Sequence, residues 1–253
     1  MPTRKEVALI TGGGRGIGAA IARRLTADGY CVAIADHLAD QAEKTAAMIN
    51  SQGGKAVGVS CDVRKLADIA RLLETAKSKL GLPTVLVNNA GLYPNHAALD
   101  MTEAQWDDVL DTNLKGTFFC SQFLARELAA TERPGTIVNV ASTSAYSARL
   151  GAAHYSASKA GIVMLTRSLA QEFGPQKIRV NAVAPGLVEA KEGLVSEDYR
   201  TQFIAMVPSG RIGRVEDIAN AVAFLASASA DYINGHTIVV DGGFIAGRAL
   251  QRS

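Results

Sequence analysis

Short apolar runs alternate with longer stretches in which apolar residues recur every three or four positions, and this order holds almost from end to end. Val7-Ala8-Leu9-Ile10, Cys31-Val32-Ala33-Ile34-Ala35, Lys55 to Ser60, Val85-Leu86-Val87, Thr136 to Val140, Ile178 to Val183 and Thr237-Ile238-Val239-Val240 read as strands, too short and too uniformly apolar for helices. Between them, Ile17 to Asp28, Asp40 to Asn50, Leu66 to Leu80, Tyr155 to Phe173 and Val215 to Ala226 carry helical periodicity. A longer helical stretch runs from Thr102 to Ala130, with a break expected near Asn113. Gly29, Gly53-Gly54 and Gly174-Pro175 punctuate helix ends.

Strands apolar on every position are buried on both faces, and strands separated by helices pair in parallel. Right-handed crossovers then give an α/β doubly wound Rossmann fold, a seven-stranded parallel sheet with helices on both faces. The pattern predicts one domain over residues 1–253, with an irregular substrate loop at about 186–213.

Composition narrows the picture. Hydrophobic residues make up 48% of the chain and the net charge is +2, with acids and bases mixed, so nothing points to nucleic acid or an anionic membrane. No apolar run approaches the roughly 18 residues of a membrane span, and no signal-peptide region is evident at the start. Cys31, Cys61 and Cys120 have neither CxxC nor zinc spacing, and the four histidines are scattered. The reading is a cytoplasmic protein with reduced thiols and no metal site.

The first strand runs into Thr11-Gly12-Gly13-Gly14-Arg15-Gly16-Ile17-Gly18. Glycine here lets the turn be tight and the backbone approach a pyrophosphate, which the following helix N-terminus attracts. Gly12, Gly14, Arg15, Gly16, Ile17 and Gly18 are therefore candidate dinucleotide contacts. Asp36 ends the second strand, eighteen residues after Gly18. A carboxylate there can accept hydrogen bonds from both adenosine ribose hydroxyls and would repel a 2′-phosphate, which favours NAD. Arg15 keeps NADP as the alternative, because a guanidinium in the turn suits that phosphate.

Tyr155 and Lys159 stand one helical turn apart, on one face. A phenol ionises near pH 10, and an ammonium beside it favours the phenolate. The pair suits moving a proton on or off an alcohol oxygen. Taken alone, the same spacing also describes a surface tyrosine beside a solvated lysine.

Thr11-Gly12-x-x-x-Gly16-Ile17-Gly18, Asn88-Asn89-Ala90-Gly91, Asn113, Ser142 and Tyr155-x-x-x-Lys159, in that order, resemble the short-chain dehydrogenase/reductase family over nearly the whole chain. The resemblance implies an oxidoreductase passing hydride between a nicotinamide cofactor and a secondary alcohol or ketone. Tyr155 is then the general acid/base, with Lys159 lowering its pKa and holding the nicotinamide ribose. Ser142 binds the substrate oxygen, and Asn113 breaks its helix and holds a water. Asp62 and Val63 match positions at the adenine ring, and Asn89, Ala90 and Gly91 match the adenosine side. Asn181, Pro185, Gly186 and Val188 match the nicotinamide lining. Ala190 stands where many relatives carry threonine.

Tyr93, Pro94, His96, Ser144, Tyr146, Leu150, His154, Leu187 and Val188 are candidate substrate walls, with Ser144, Leu150 and Leu187 foremost. They include no arginine cluster, so a neutral small-molecule substrate is expected. A 3-oxoacyl thioester is the alternative within the family, and a catalytically silent dinucleotide sensor the alternative outside it. Enoyl reductases of related fold usually separate tyrosine and lysine by six residues, against three here. Relatives also pair the helices around Phe118, Phe119, Phe123, Met164, Leu165 and Leu169, which implies a homotetramer.

Overall fold

A computed structural model describes residues 6–189 and 196–247. Ala190 and part of the expected substrate loop lie outside the described residues. The strands are β1 (Val7–Thr11), β2 (Cys31–Asp36), β3 (Ala56–Ser60), β4 (Val85–Asn88), β5 (Gly135–Val140), β6 (Ile178–Pro185), β7 (Val188–Glu189), β8 (Gly213–Arg214) and β9 (Thr237–Val240). Seven form one sheet in the order β3-β2-β1-β4-β5-β6-β9, and every neighbouring pair is parallel. Strand order reverses direction between β1 and β4, so a crevice opens there beyond the strand C-termini.

The helices are α1 (Gly16–Ala27), α2 (Ala39–Ser51), α3 (Leu66–Lys79), α4 (Glu103–Leu110), α5 (Gly116–Ala130), α6 (Ala153–Phe173), α7 (Glu197–Met206) and α8 (Val215–Ala226). Successive strand residues point to opposite faces, so each strand serves two cores. Ala8, Ile10, Val32, Ile34, Val85 and Val87 pack with Ile21 and Leu25 of α1, Ile49 of α2 and Val222 of α8. Leu9, Ala33, Leu86, Ile137 and Val180 pack on the other face with Leu72 of α3, Leu124 and Leu128 of α5, and Leu169 of α6.

The expected break in the long helical stretch is a π-helical turn, Asp111–Lys115, between α4 and α5. Thr102 starts α4 with a capping box, its hydroxyl accepting from Gln105 N while the Gln105 side chain accepts from Thr102 N. The segment read as irregular between Pro185 and Arg214 is corrected: it holds α7 and the two-residue strands β7 and β8, which pair with each other. Only Phe203 of α7 is buried, so that helix has no apolar stripe to read in the sequence.

Candidate active site

The glycine turn lies at the end of β1. Gly12 has φ +60, a left-handed conformation that L side chains rarely adopt, and a β-carbon there would sit 2.8 Å from Ala90 Cα. At Gly18 a β-carbon would collide with the Gly12 carbonyl oxygen and lie 2.6 Å from Asn89 Nδ2. The turn is therefore a close backbone stack. Helix α1 opens from it with Arg15, exposed, at the N-cap, and no side chain caps its first turn. Such an end offers amide donors and a positive dipole to an anion. The arrangement fits a dinucleotide pyrophosphate.

Asp36 is buried at the end of β2, where Oδ2 accepts from Gly14 N at 3.0 Å and Oδ1 from Leu38 N at 3.1 Å. On the other side, the Asn89 carboxamide donates to the Thr11 and Gly12 carbonyls, and Thr11 Oγ1 accepts from the Asn89 and Ala90 amides. Asn88 is fully internal, donating to Ser121 Oγ and to Asn139 Oδ1, both at 2.9 Å.

Asn113 in the π turn is completely buried. Its Oδ1 accepts from Leu92 N at 2.8 Å, while Nδ2 donates to Leu92 O at 2.9 Å and Ser158 Oγ at 3.0 Å. The carboxamide thus ties the chain after Gly91 to α6, and both its amide protons are committed. A β-carbon on Gly91 would sit 3.2 Å from Asn113 Oδ1 and 3.7 Å from Lys159 Nζ, so these three residues meet.

Lys159 is 5% exposed and its ammonium donates to the Val140 carbonyl at 2.7 Å, at the end of β5. Burial pulls its pKa down to about 8. Nζ lies 5.7 Å from the centre of the Tyr155 ring. Ser142 is buried just past β5, and its Oγ accepts from Ser144 N at 3.1 Å.

The expectation that Lys159 depresses the Tyr155 pKa is corrected. Burial raises Tyr155 above the ordinary phenol value, and the opposing influences are a hydrogen bond with Ser142 and the charge of Arg149. A phenolate is costly in a poorly solvated place, and that penalty outweighs its neighbours.

Other expectations are met differently. The Asp62 carboxylate is gripped by Arg64, with Nε to Oδ1 and Nη2 to Oδ2 both at 2.9 Å, which holds its pKa below the usual carboxylate range. The Val63 side chain is buried against Gly116, so neither side chain is free for a ring. Asn181 sits inside β6, donating to Ile233 O and accepting from His236 N, and is therefore no part of the nicotinamide lining. Pro185 ends β6, Gly186 N donates to Val240 O at 3.0 Å, and Val188 lies in β7. Leu187 packs with Phe203, Val207 and Ile212 as a hydrophobic anchor for α7. Leu150, expected as a substrate wall, is 96% exposed, with its side chain in solvent.

Beside Tyr155 one expected wall residue, His154, is internal instead, and one residue, Arg149, escaped the sequence reading. His154 is fully buried, its Nδ1 accepting from Tyr155 N at 2.9 Å, and burial lowers its pKa. Arg149 places its guanidinium carbon 5.3 Å from the Tyr155 ring centre. The signal was an arginine six residues before Tyr155 in an otherwise apolar and small-residue stretch.

Comparison with known proteins agrees over almost the full length. A family model described as enoyl-(acyl carrier protein) reductase matches residues 12–245. The 3-oxoacyl-acyl-carrier-protein reductase FabG of Staphylococcus epidermidis is 40% identical over 238 residues, covering 93% of this chain and 97% of that protein. The 2-dehydro-3-deoxy-D-gluconate 5-dehydrogenase of Escherichia coli is 35% identical, covering 95% and 96%. A short-chain type dehydrogenase/reductase from Mycobacterium marinum, solved by crystallography, superposes with a TM-score of 0.90 at 35% identity and 96% coverage of each chain.

Proposed function

This chain belongs to the short-chain dehydrogenase/reductase family, and from that premise we propose that it exchanges hydride between a nicotinamide dinucleotide and a small secondary alcohol or ketone. The carrying observation is the meeting of Ser142, Tyr155 and buried Lys159 beyond β5. Membership makes the chain an oxidoreductase with a nicotinamide cofactor.

When bound, that cofactor supplies the hydride chemistry. The chain supplies position and proton traffic. Backbone amides of Gly12, Gly16, Ile17 and Gly18 would hold the pyrophosphate, with Arg15 at its edge and Gly14, its amide tied to Asp36, shaping the turn. Asp36 receives the adenosine ribose hydroxyls, and its buried charge opposes a 2′-phosphate, so NAD is preferred over NADP. The main chain of Asp62 and Val63 borders the adenine, Asn89, Ala90 and Gly91 the adenosine side, and Pro185, Gly186 and Val188 the nicotinamide end.

Tyr155 gives its proton to the carbonyl oxygen in reduction and takes it from the carbinol in oxidation. Ser142 donates a hydrogen bond to the same oxygen. Lys159 holds the ribose hydroxyls, and Asn113, at the π turn, holds a water that extends the proton path from Lys159 to solvent. The raised Tyr155 pKa keeps the phenol protonated at neutral pH, which suits reduction. Oxidation rates then climb as pH rises through the alkaline range.

The similarity to a 3-oxoacyl-thioester reductase favours a second reading, reduction of that substrate class. The three-residue spacing of Tyr155 and Lys159 argues for carbonyl over enoyl chemistry. We place the enzyme in the cytoplasm, as a homotetramer pairing α5 and α6.

Tyr155→Phe tests the reading. Turnover should fall by about 10²–10⁴-fold, while NADH binding, followed by its fluorescence, stays within a few-fold of wild type. Near-wild-type turnover in a folded Tyr155→Phe protein refutes the role.

A further inference from the structure

Among the described residues, the guanidinium at the rim of Tyr155 has no anionic partner. Arg149 Nη2 donates to the Tyr93 carbonyl at 3.3 Å and to Asn95 Oδ1 at 3.0 Å, both neutral acceptors. No carboxylate lies within ion-pair distance of it among the described residues, although Arg64, Arg71 and Arg211 each hold one. These bonds also fix the head in place. The 93–96 loop and the 149–151 loop are joined a second time, by His96 N donating to Gly151 O at 2.7 Å.

The position matters because of what lies beneath it. The guanidinium carbon is 5.3 Å from the centre of the Tyr155 ring. Arg149 and the phenolic oxygen are therefore separated by no more than that distance plus the ring's own reach, the span of one small molecule. Lys159, the other cation at the ring, is buried against Val140 O. His154, packed edge-on to His96 with ring centres 5.5 Å apart, is buried where its charged form is disfavoured. Among the described residues, Arg149 is thus the exposed cation at this rim. A guanidinium whose remaining N–H groups point as a planar fork matches the two oxygens of a carboxylate.

We propose that Arg149 binds a carboxylate carried by the substrate, so that the compound turned over is a small hydroxy acid or the corresponding oxo acid. This narrows the alcohol or ketone of the proposed function and rests on that reading. The carboxylate is a spectator in the chemistry. In oxidation the carbinol C–H bond breaks, with hydride passing to the nicotinamide. The O–H proton passes to Tyr155 and on to solvent, and the C=O bond forms. The expectation of a neutral substrate rests on the lack of an arginine cluster; one arginine, held by neutral acceptors and without an anion among the described residues, is enough for a single carboxylate.

The test pairs each acid with its neutral isostere. Hydroxybutanoate, hydroxypentanoate and gluconate, each beside its carboxamide, are assayed for NADH production with wild type, Arg149→Gln and Arg149→Lys. Wild type should favour at least one acid over its amide. In Arg149→Gln the acid-to-amide ratio of kcat/KM should fall by about 10- to 100-fold, with Arg149→Lys between. Using the ratio cancels any effect of the lost charge on Tyr155, which acts on both substrates alike. Two results overturn the proposal: amides used as well as acids by wild type, or an unchanged ratio in Arg149→Gln. NADH that binds without turnover of any member also overturns it, while leaving the cofactor site standing. Failure of both NADH and NADPH to bind refutes the proposed function itself.

Discussion

Lys159 is the residue on which stability and chemistry pull in opposite directions. It is buried, its one bond among the described residues is to a neutral carbonyl, and its pKa is drawn from 10.5 to about 8. Between those two pH values the unfolded chain holds a proton that the folded chain has released. Stability therefore rises with pH across that window, and below about pH 8 the penalty is fully present. A shift of this size corresponds to about 3 kcal/mol. Lys159→Met should raise the melting temperature of the cofactor-free protein at pH 7 by several degrees, about 2–4 °C per kcal/mol for a chain of this size. The gain should shrink on moving to pH 10, and turnover should be lost. A melting point that drops at pH 7, measured by calorimetry, contradicts this account. The residue types at Ser142, Tyr155 and Lys159 were readable because their spacing and order are distinctive. Their protonation was not, since it depends on burial: the sequence reading had Lys159 lowering Tyr155, whereas desolvation raises it.

Among elements, the turn between β1 and α1 is the most constrained. A methyl group at Gly18 has nowhere to go, because the Gly12 carbonyl and the Asn89 carboxamide already occupy the space. Gly18→Ala should destabilise the fold by about 1–3 kcal/mol and weaken NADH binding at least tenfold. Chemical denaturation and fluorescence titration measure the two effects, and a variant with wild-type affinity would show that the stack yields. The glycines were visible in the sequence, but their partner Asn89 is supplied by the end of β4, seventy residues on. A break near Asn113 was expected, and the structure makes it a π turn. α7 was missed altogether. A helix that buries only Phe203 leaves no periodic trace, and strands of two residues fall below what alternation can register.

At the scale of the molecule, α4, α5 and α6 leave apolar surface in view. Trp106 is 41% exposed and Met164 57%, while Phe118, Phe119 and Phe123 are only half-buried against the sheet. Burial of such a face between subunits is the expected use of it. Light scattering should give four times the monomer mass, and Met164→Asp should lower it; a monomer at micromolar concentration contradicts the assembly. No helix among the described residues is long and apolar enough to cross a membrane. What the sequence alone determined is whatever repeats locally or depends on residue type: the strand–helix alternation, hence the parallel sheet; the glycine turn; the order of Asp36, Ser142, Tyr155 and Lys159. Short-range periodicity and backbone sterics decide these, and both are written in neighbouring residues. The tertiary structure alone decided which polar groups are already satisfied and which are left to act. Asn181 and Asp62 are engaged by partners within the chain, while Arg149, beside Tyr155, meets no anion among the described residues. Hydrogen-bond partners and desolvation come from segments brought together by folding, so no stretch of the chain read by itself contains them.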